Sequence, residues 1–474
     1  MPDYGLGSWP ARRARITPDA VAFRQDERSL TYAALAARVD RLAGSLAARG
    51  IGRGDRIAYL GPNDITTFEV FFAAGRLGAL FVPLNTRLAD AEIGELLADC
   101  APAAVFHAPG FPGDGFSTED LPLDGPALPW EREVGLDDDA VILYSSGTTG
   151  RPKGAVLSHG NLTFNTMNQL AHTDVLASDV ALCLCPLFHA TGLGQVSLPT
   201  LFKGGTVVVL PKFDPAAVLG LVARHRVTSF SAVPTMLQMM CEHGDFPDAD
   251  LSSLRFVVYG GSAVEERVAL AWQRRGITLM QGYGMTEASP GVLMATGEGA
   301  ACRPVSVGVP HFFTDVQVPA GELLVRGLNV FRGYWNRPAE TERAFHDGWF
   351  RSGDVVRIGA DGWGYVVDRV KDMFISGGEN VYPAEVEAAL LALDGVTEAA
   401  VVAAPDERWG ETGHAHVVAE PGMWTEETLR AALRAKVAAF KVPRYVTFTA
   451  GLPKTATGKV RKQLLRRHPE EDTP

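Results

Sequence analysis

The sequence predicts an α/β protein, with a large N-terminal domain over residues 1–370 and a smaller α+β C-terminal domain over residues 371–474. Two observations carry this. Short apolar runs alternate with helix-period stripes up to about Arg369, after which the texture changes to a compact mixture of strands and helices. Strand–helix alternation favours βαβ units, so the larger domain is expected to hold largely parallel sheets covered by helices. With 474 residues, 46% hydrophobic and 21% charged, the chain has the composition of a globular enzyme and enough length for several subdomains.

The elements follow in order. Thr31 can cap a helix whose stripe is Leu35, Val39, Leu42 and Leu46, ended by Gly50. A strand is expected at 57–60, a helix up to Gly78, and a strand at 80–83. The run 65–84 is the most apolar of the chain, yet Glu69, Gly75, Arg76 and Gly78 interrupt it. It reads as a buried helix followed by a strand, not as a membrane span. Further strands are predicted at 140–144, 182–185, 206–210, 228–233, 256–259 and 279–281, with helices at 215–226 and 264–275. The Pro-, Gly- and Asp-rich stretch 107–139 reads as a surface connection, and 345–365 as short strands and turns. In the C-terminal domain a helix starts at Pro383, strands occupy 397–403 and 414–419, and a helix covers 425–440. In such folds ligands bind in the loops beyond strand C-terminal ends.

A net charge of −11 argues against a nucleic-acid partner, because phosphate backbones select basic faces. Five scattered cysteines make no disulfide framework, and the N-terminal residues lack the apolar core of a signal peptide. The expected location is the cytoplasm, without integral membrane association; an oligomer is possible but not readable. Cys183-x-Cys185 has no second pair to make a zinc site, and His414-x-His416 reads as one face of a strand.

The most informative segment is YSSGTTGRPKGAVLSHGN, residues 144–161. An apolar strand runs into a loop of hydroxyls, glycines and one lysine. Glycines let backbone N–H groups turn inward as an anion nest, hydroxyls add donors, and Lys153 supplies a point charge for a terminal phosphate. A Walker A loop is excluded, since glycine follows Lys153. Taken alone, the segment also fits a flexible Gly/Thr surface loop.

Four further blocks follow it: PLFHATG (186–192), QGYGMTEAS (281–289), WFRSGD to GYVVDRVKD (349–372) and PKTATGK (453–459). Together the five resemble, in order, the AMP-forming adenylating superfamily: acyl- and aryl-CoA synthetases, luciferases and peptide-synthetase adenylation domains. The resemblance covers essentially the whole chain. It implies ATP, magnesium and coenzyme A as the small-molecule partners of a carboxylic acid, with AMP as product. Ser145, Ser146, Gly147, Thr148, Thr149, Gly150 and Lys153 would cradle phosphates. Gly260, Gly261 and Ser262 would border adenine, Tyr283 would stack on it, and Gly284 would lie beside the nucleotide. Thr286 would hold the α-phosphate and Glu287 magnesium. Asp354 would accept the ribose hydroxyls beside Arg369. His189 would lie by the acid's carboxylate, with Val233 and Met285 in the acyl wall, where core packing is the competing reading. Lys459 would bridge carboxylate and phosphate during adenylation. Lys371 would be the hinge of a mobile C-terminal domain, and Gly377 and Gly378 would face the CoA thiol arm.

The chemistry requires such groups. A carboxylate is a poor electrophile and must displace pyrophosphate from ATP before a thiol can attack it. Two anions then meet while charge builds on the α-phosphate, so positioned cations and donors lower the barrier. The block MFISGGENVYPAEVE (373–387) resembles acyl- and aryl-CoA synthetases. Competing readings are an acyl-AMP ligase, a carrier-loading adenylation enzyme, luciferase-type chemistry and a non-catalytic nucleotide sensor. Lys153, Glu287, Asp354 and Lys459 together argue against the sensor. No arginine near GYGMTEASPG offers to pair a second carboxylate, which favours a fatty or other apolar monocarboxylic acid. The short link 314–322 lacks the longer hairpin common in relatives.

Overall fold

The structure, a computed structural model, describes the chain apart from residues 1–2, 112–114, 129–132, 146–151, 262–263, 265, 304–305, 370–373, 382, 454–459, 461 and 466–474, and the side chains of 266, 298, 301, 320, 367–369, 380, 384 and 463. The chain divides into two compact units. The first comprises Met1–Thr86, Cys100–Leu143 and Gly154–Asp368; the second comprises Arg87–Asp99, Tyr144–Lys153 and Arg369–Pro474. The second unit therefore draws two stretches from before residue 370, a grouping that periodicity along the chain does not reveal.

The first unit is α/β. Among the described residues it holds a nine-stranded sheet whose middle is a continuous parallel run. In spatial order that run is Thr278–Gly284, Phe256–Tyr259, Ser229–Ala232, Val180–Cys183, Thr206–Val209 and Val21–Gln25. Antiparallel strands close both edges: Gly291–Met294 with Val309–Pro310 on one side, Arg28–Thr31 on the other. A seven-stranded sheet runs Gly333–Tyr334, Lys153–Ser158, Asp139–Ser145, Leu80–Pro83, Arg56–Leu60, Ala104–His107 and Phe116–Ser117. Its pairs from Asp139–Ser145 to Phe116–Ser117 are parallel. Fully apolar strands such as Val207–Val209 and Ile57–Leu60 are buried on both faces, as parallel sheets between helix layers require.

Helix boundaries follow capping chemistry. Thr31 accepts from the Ala34 N–H at 3.1 Å and starts the helix Tyr32–Ala48. Asp64 and Thr67 form a reciprocal cap on Ile65–Leu77, and Gly78 ends that helix at φ 70°. Every residue of Ile65–Leu77 is buried. Its two charges are paired: Glu69 with Arg38, and Arg76 with Asp3 at 2.8 Å and Asp40 at 3.0 Å. Among the described residues, no helix is long and apolar enough to cross a membrane. The link 314–322 is a tight hairpin in which Thr314–Gln317 pairs with Glu322–Gly327 through one turn of 3-10 helix.

The second unit is α+β. Its sheet runs Glu379–Val381, Phe374–Ser376, Gly410–Ala419 and Val396–Asp406, with Tyr445–Phe448 parallel to Gly410–Ala419. Helices Pro383–Leu391 and Glu426–Arg434 supply Val386, Leu390, Leu429 and Leu433 to one core with Val401 and Val417. The helix expected over 425–440 stops at Arg434, because the chain turns there to bury Val437 and Ala438 and then forms the short turn Ala439–Lys441. That turn delivers Lys441, 3% exposed, to Glu92 at 3.0 Å and to Glu385. Burial pushes Glu385 up to about 7 against the pull of the Lys441 ammonium. His414 and His416 stack at 4.2 Å between ring centroids.

Two buried imidazoles make the first unit acid-sensitive. Burial lowers His159 to about 4 and His311 to about 3. Unfolded histidine titrates near ~6.5, so as pH falls below that value the unfolded chain binds protons that the folded chain resists. The stability these groups contribute is complete above the unfolded value and is lost on going down toward the folded values. At pH 5 the expected loss is about 2 kcal/mol per imidazole. Thermal unfolding at pH 7.5 and pH 5 should show a drop that is smaller for His159→Gln. An equal drop in both proteins would refute the assignment.

Candidate active site

The first unit gathers several of the singled-out residues around the turn that follows strand Thr278–Gly284. Gly284 lies so close to the chain returning past it that a Cβ would sit 1.8 Å from the Pro290 carbonyl, so only glycine fits there. The Met285 N–H donates to that same carbonyl at 2.9 Å, and Thr286–Ala288 makes one 3-10 turn. Asn329, fully buried, pins the loop by donating to the Ala288 and Gly291 carbonyls at 2.9 and 2.7 Å. The Ser289 hydroxyl in turn donates to the Asn329 carbonyl at 2.8 Å.

This loop aims its side chains in pairs. The Tyr283 hydroxyl donates to Asp354 Oδ2 at 2.6 Å, joining the QGYG and SGD blocks. Asp354 follows Gly353 at φ 73° and is 9% exposed. Glu287 Oε1 accepts from the Tyr334 hydroxyl at 2.9 Å, while its backbone carbonyl accepts from the Phe331 N–H at 2.7 Å. Thr286 stands between these pairs, half-buried. Gly260 ends strand Phe256–Tyr259 with its Cβ position 2.9 Å from the Gly282 carbonyl, and Gly261 follows at φ 94°.

His189 caps the short helix Ala190–Gly194 through its backbone, with its ring 4.8 Å from that of Phe188. Asn63 holds the preceding segment: it donates to the Cys185 carbonyl at 3.0 Å and accepts from the Leu187 N–H at 2.9 Å. Val233 and Met285 are half-buried and pack on hydrophobic clusters. Tyr334, Asn329 and Asn63 were not singled out in the sequence. A lone Asn or Tyr gives no local signal, although Tyr334 lies within the aromatic run FRGYW.

Ser145 ends strand Asp139–Ser145 and Lys153 begins Lys153–Ser158, its neighbour in the seven-stranded sheet. Gly377 and Gly378 form the two-residue turn between Phe374–Ser376 and Glu379–Val381, at φ 58° and 82°, the signs a type I′ hairpin demands. Ser146, Gly147, Thr148, Thr149, Gly150, Ser262, Lys371 and Lys459 lie outside the described residues. Arg369 ends strand Gly364–Arg369, but its side chain is also outside them.

The comparison with known proteins decides the family. The AMP-binding enzyme family matches residues 10–335, and the AMP-binding enzyme C-terminal domain matches residues 385–459. The chain belongs to the AMP-forming adenylating superfamily. It is an enzyme of the AMP-forming acid–CoA ligase class. A feruloyl-CoA synthase from an Amycolatopsis species is 47% identical over 495 aligned residues, covering 98% of this chain and 99% of that one. An indoleacetate–CoA ligase from Aromatoleum aromaticum is 40% identical over 500, covering 97% of each. Among solved structures, a double mutant of o-succinylbenzoate CoA synthetase from Bacillus subtilis, bound to a product analogue, superposes with a TM-score of 0.90 at 30% identity and covers 99% of both chains. The adenylating enzyme thus shares its whole length with these relatives.

Magnesium can be tested against the donors present. Glu287 offers hard carboxylate oxygen, oriented by Tyr334. Among the described residues no cluster of three or more His, Cys, Asp or Glu could hold a metal unaided. A single carboxylate completed by substrate phosphates is the arrangement magnesium favours, so the residues fit it.

Proposed function

We propose that this enzyme activates an apolar monocarboxylic acid, preferentially an aryl acid, as its acyl-adenylate and transfers the acyl group to coenzyme A. The observation that carries the reading is the turn after Thr278–Gly284, which joins Tyr283 to Asp354 and Glu287 to Tyr334 in a chain of this family. The feruloyl and indoleacetate relatives support the aryl preference, since both names denote aromatic acids.

In this reading Asp354 accepts the two ribose hydroxyls, and Tyr283 both steers that carboxylate and stacks on adenine. Thr286 donates to the α-phosphate. Glu287 is assigned to magnesium, which supplies positive charge at the phosphates when bound. Ser145, Ser146, Gly147, Thr148, Thr149, Gly150 and Lys153 hold the departing pyrophosphate. His189, Val233 and Met285 border the acid. A carboxylate oxygen attacks the α-phosphorus and pyrophosphate leaves. The CoA thiolate then attacks the acyl carbon, and AMP leaves with the bonding electrons. Lys459 neutralises the meeting anions in the first step. Lys371 is the hinge assigned to a C-terminal domain of residues 371–474, which serves both steps, and the turn Gly377–Gly378 lets the thiol arm approach closely.

The test is AMP release from ATP and magnesium across aryl and fatty acids, each with and without CoA. CoA-dependent AMP with aryl acids is the expected result. Preference for long-chain acids would overturn the aryl assignment. Pyrophosphate release without CoA-dependent turnover would favour a carrier-loading or acyl-AMP ligase instead.

A further inference from the structure

Apart from the nucleotide turn, the first unit holds a cavity of about 760 Å³, within the range of sites that take small organic molecules. It lies where the order of the seven-stranded sheet reverses. Strands Arg56–Leu60 and Ala104–His107 run side by side and parallel, with Tyr59 opposite Phe106. The chain leaving the first passes through helix Ile65–Leu77 to Leu80–Pro83 on one side. The chain leaving the second goes to Phe116–Ser117 on the other. Connections that part in this way leave a crevice beyond the strand C-terminal ends, where open α/β sheets take ligands. Tyr59, Asp64, Ala108 and Thr118 line the cavity from these strands and connections, and Arg28 lines it from the edge strand Arg28–Thr31. The nucleotide turn follows a strand toward the other end of the nine-stranded sheet. None of the residues assigned to ATP, the acid or CoA lines this cavity.

The charges on its walls select the occupant. Helix Ile65–Leu77 presents its N-terminus here, but Asp64 closes that end by accepting from the Thr66 N–H at 2.7 Å, so no anion is drawn to it. Both arginines are already balanced. Arg28 Nη1 lies 3.2 Å from Asp64 Oδ1, and Arg38 holds the fully buried Glu69 through Nε and Nη2. Glu119 and Asp120 also line the cavity, both exposed, and neither carboxylate has an ion-pair partner among the described residues. Two guanidinium groups thus stand against four carboxylates, and the two unbalanced charges are negative. Tyr59 is 2% exposed, and its hydroxyl makes no hydrogen bond of normal geometry among the described residues, the neighbouring Thr67 hydroxyl included. A buried hydroxyl left unmatched is costly, which points to an occupant that meets it. Leu30, Leu121 and Leu123 supply apolar wall.

We propose that this crevice is a second ligand site, separate from the adenylation site, and that it takes a small organic amine with an apolar body. The ammonium group lies on the side of Glu119 and Asp120, whose carboxylates only accept hydrogen bonds and so match a group that only donates them. The apolar body lies against the leucines. A carboxylic acid or a phosphate ester meets unbalanced negative charge here and is turned away, which keeps the site distinct from the acid pocket in the ligand it selects. The proposal stands on the cavity and its charges and does not depend on which acid the enzyme activates.

The experiment titrates the full chain with phenethylamine and with its neutral counterpart 2-phenylethanol, following binding by calorimetry. It compares the wild type, the double variant Glu119→Gln with Asp120→Asn, and Thr118→Trp, which fills the cavity. We expect the wild type to bind the amine at least about tenfold more tightly than the alcohol, the gain from one charge-assisted contact. The double variant should lose about tenfold or more for the amine while its affinity for the alcohol stays within about twofold. Thr118→Trp should lose both ligands. The changed side chains lie at the surface or half-buried, so CoA-dependent AMP release and the thermal midpoint should stay near the wild-type values and report intact folding. Equal affinity of the wild type for amine and alcohol would overturn the proposal, as would the absence of saturable amine binding. Amine binding that survives both variants would place the amine elsewhere, in the acid pocket for instance, and would overturn it too. If Thr118→Trp fails to fold, the double variant, which changes only charge at two exposed positions, decides alone.

Discussion

Glu287→Gln should lower acid-dependent ATP–pyrophosphate exchange by roughly 100- to 1,000-fold, the range typical of deleting one group that stabilises transition-state charge. The amide keeps the size and shape of the side chain, and the backbone carbonyl of residue 287 still accepts from the Phe331 N–H. The turn should therefore persist, and the thermal midpoint should move little. The lost negative charge removes what attracts a hard divalent cation, so the magnesium concentration for half-maximal rate should rise as well. Tyr334→Phe offers the graded companion: without its hydroxyl the carboxylate loses a 2.9 Å partner and its fixed orientation. A drop of about tenfold, with an intermediate magnesium requirement, is expected there. Full activity of Glu287→Gln at ordinary magnesium would remove Glu287 from the mechanism.

Lys459→Ala carries a comparable effect with a different signature. Adenylation brings a carboxylate against a triphosphate, and a long side chain with one charge can reach across a cleft to offset that repulsion. Pyrophosphate exchange should fall by about 100- to 1,000-fold. ATP binding, measured by equilibrium titration, should change only a few-fold, because the ribose and adenine contacts assigned to Asp354 and Tyr283 remain. Acyl-adenylate supplied ready-made should still yield acyl-CoA, since thiol attack needs no second anion to approach the α-phosphate. Normal pyrophosphate release by the variant would withdraw Lys459 from the first step.

Much of this architecture could be read along the chain, for identifiable reasons. Several parallel strands of the first unit are continuous apolar runs bounded by turn residues, so Val180–Cys183 and Phe256–Tyr259 stand out in sequence. The helix start at Thr31 and the helix end at Gly78 follow from local capping. What escaped detection depends on distant partners. Tyr334 matters because it meets Glu287 47 positions away, and Asn329 because it spans the carbonyls of Ala288 and Gly291. His159 and His311 look like ordinary polar residues until their burial is known. The helix ending at Arg434 misled periodicity, because Val437 and Phe440 continue the stripe of Leu429 and Leu433 while the chain turns to bury Val437. Arg87–Asp99 joins the second unit through tertiary packing that no local pattern encodes.

The nine-stranded sheet also sets a timetable for synthesis. Strand Val21–Gln25 lies between its hairpin partner Arg28–Thr31 and strand Thr206–Val209, with Phe23 opposite Val207. Until the later strand emerges from the ribosome, the earlier one has an open edge. At about 5–20 residues per second that wait lasts about 10–40 s. During it, an apolar segment capable of pairing with any passing strand must be shielded by its own hairpin and by the helix that follows. Slower translation lengthens this exposure and faster translation shortens it, so the yield of folded enzyme should depend on the pace at which its first two hundred or so codons are read.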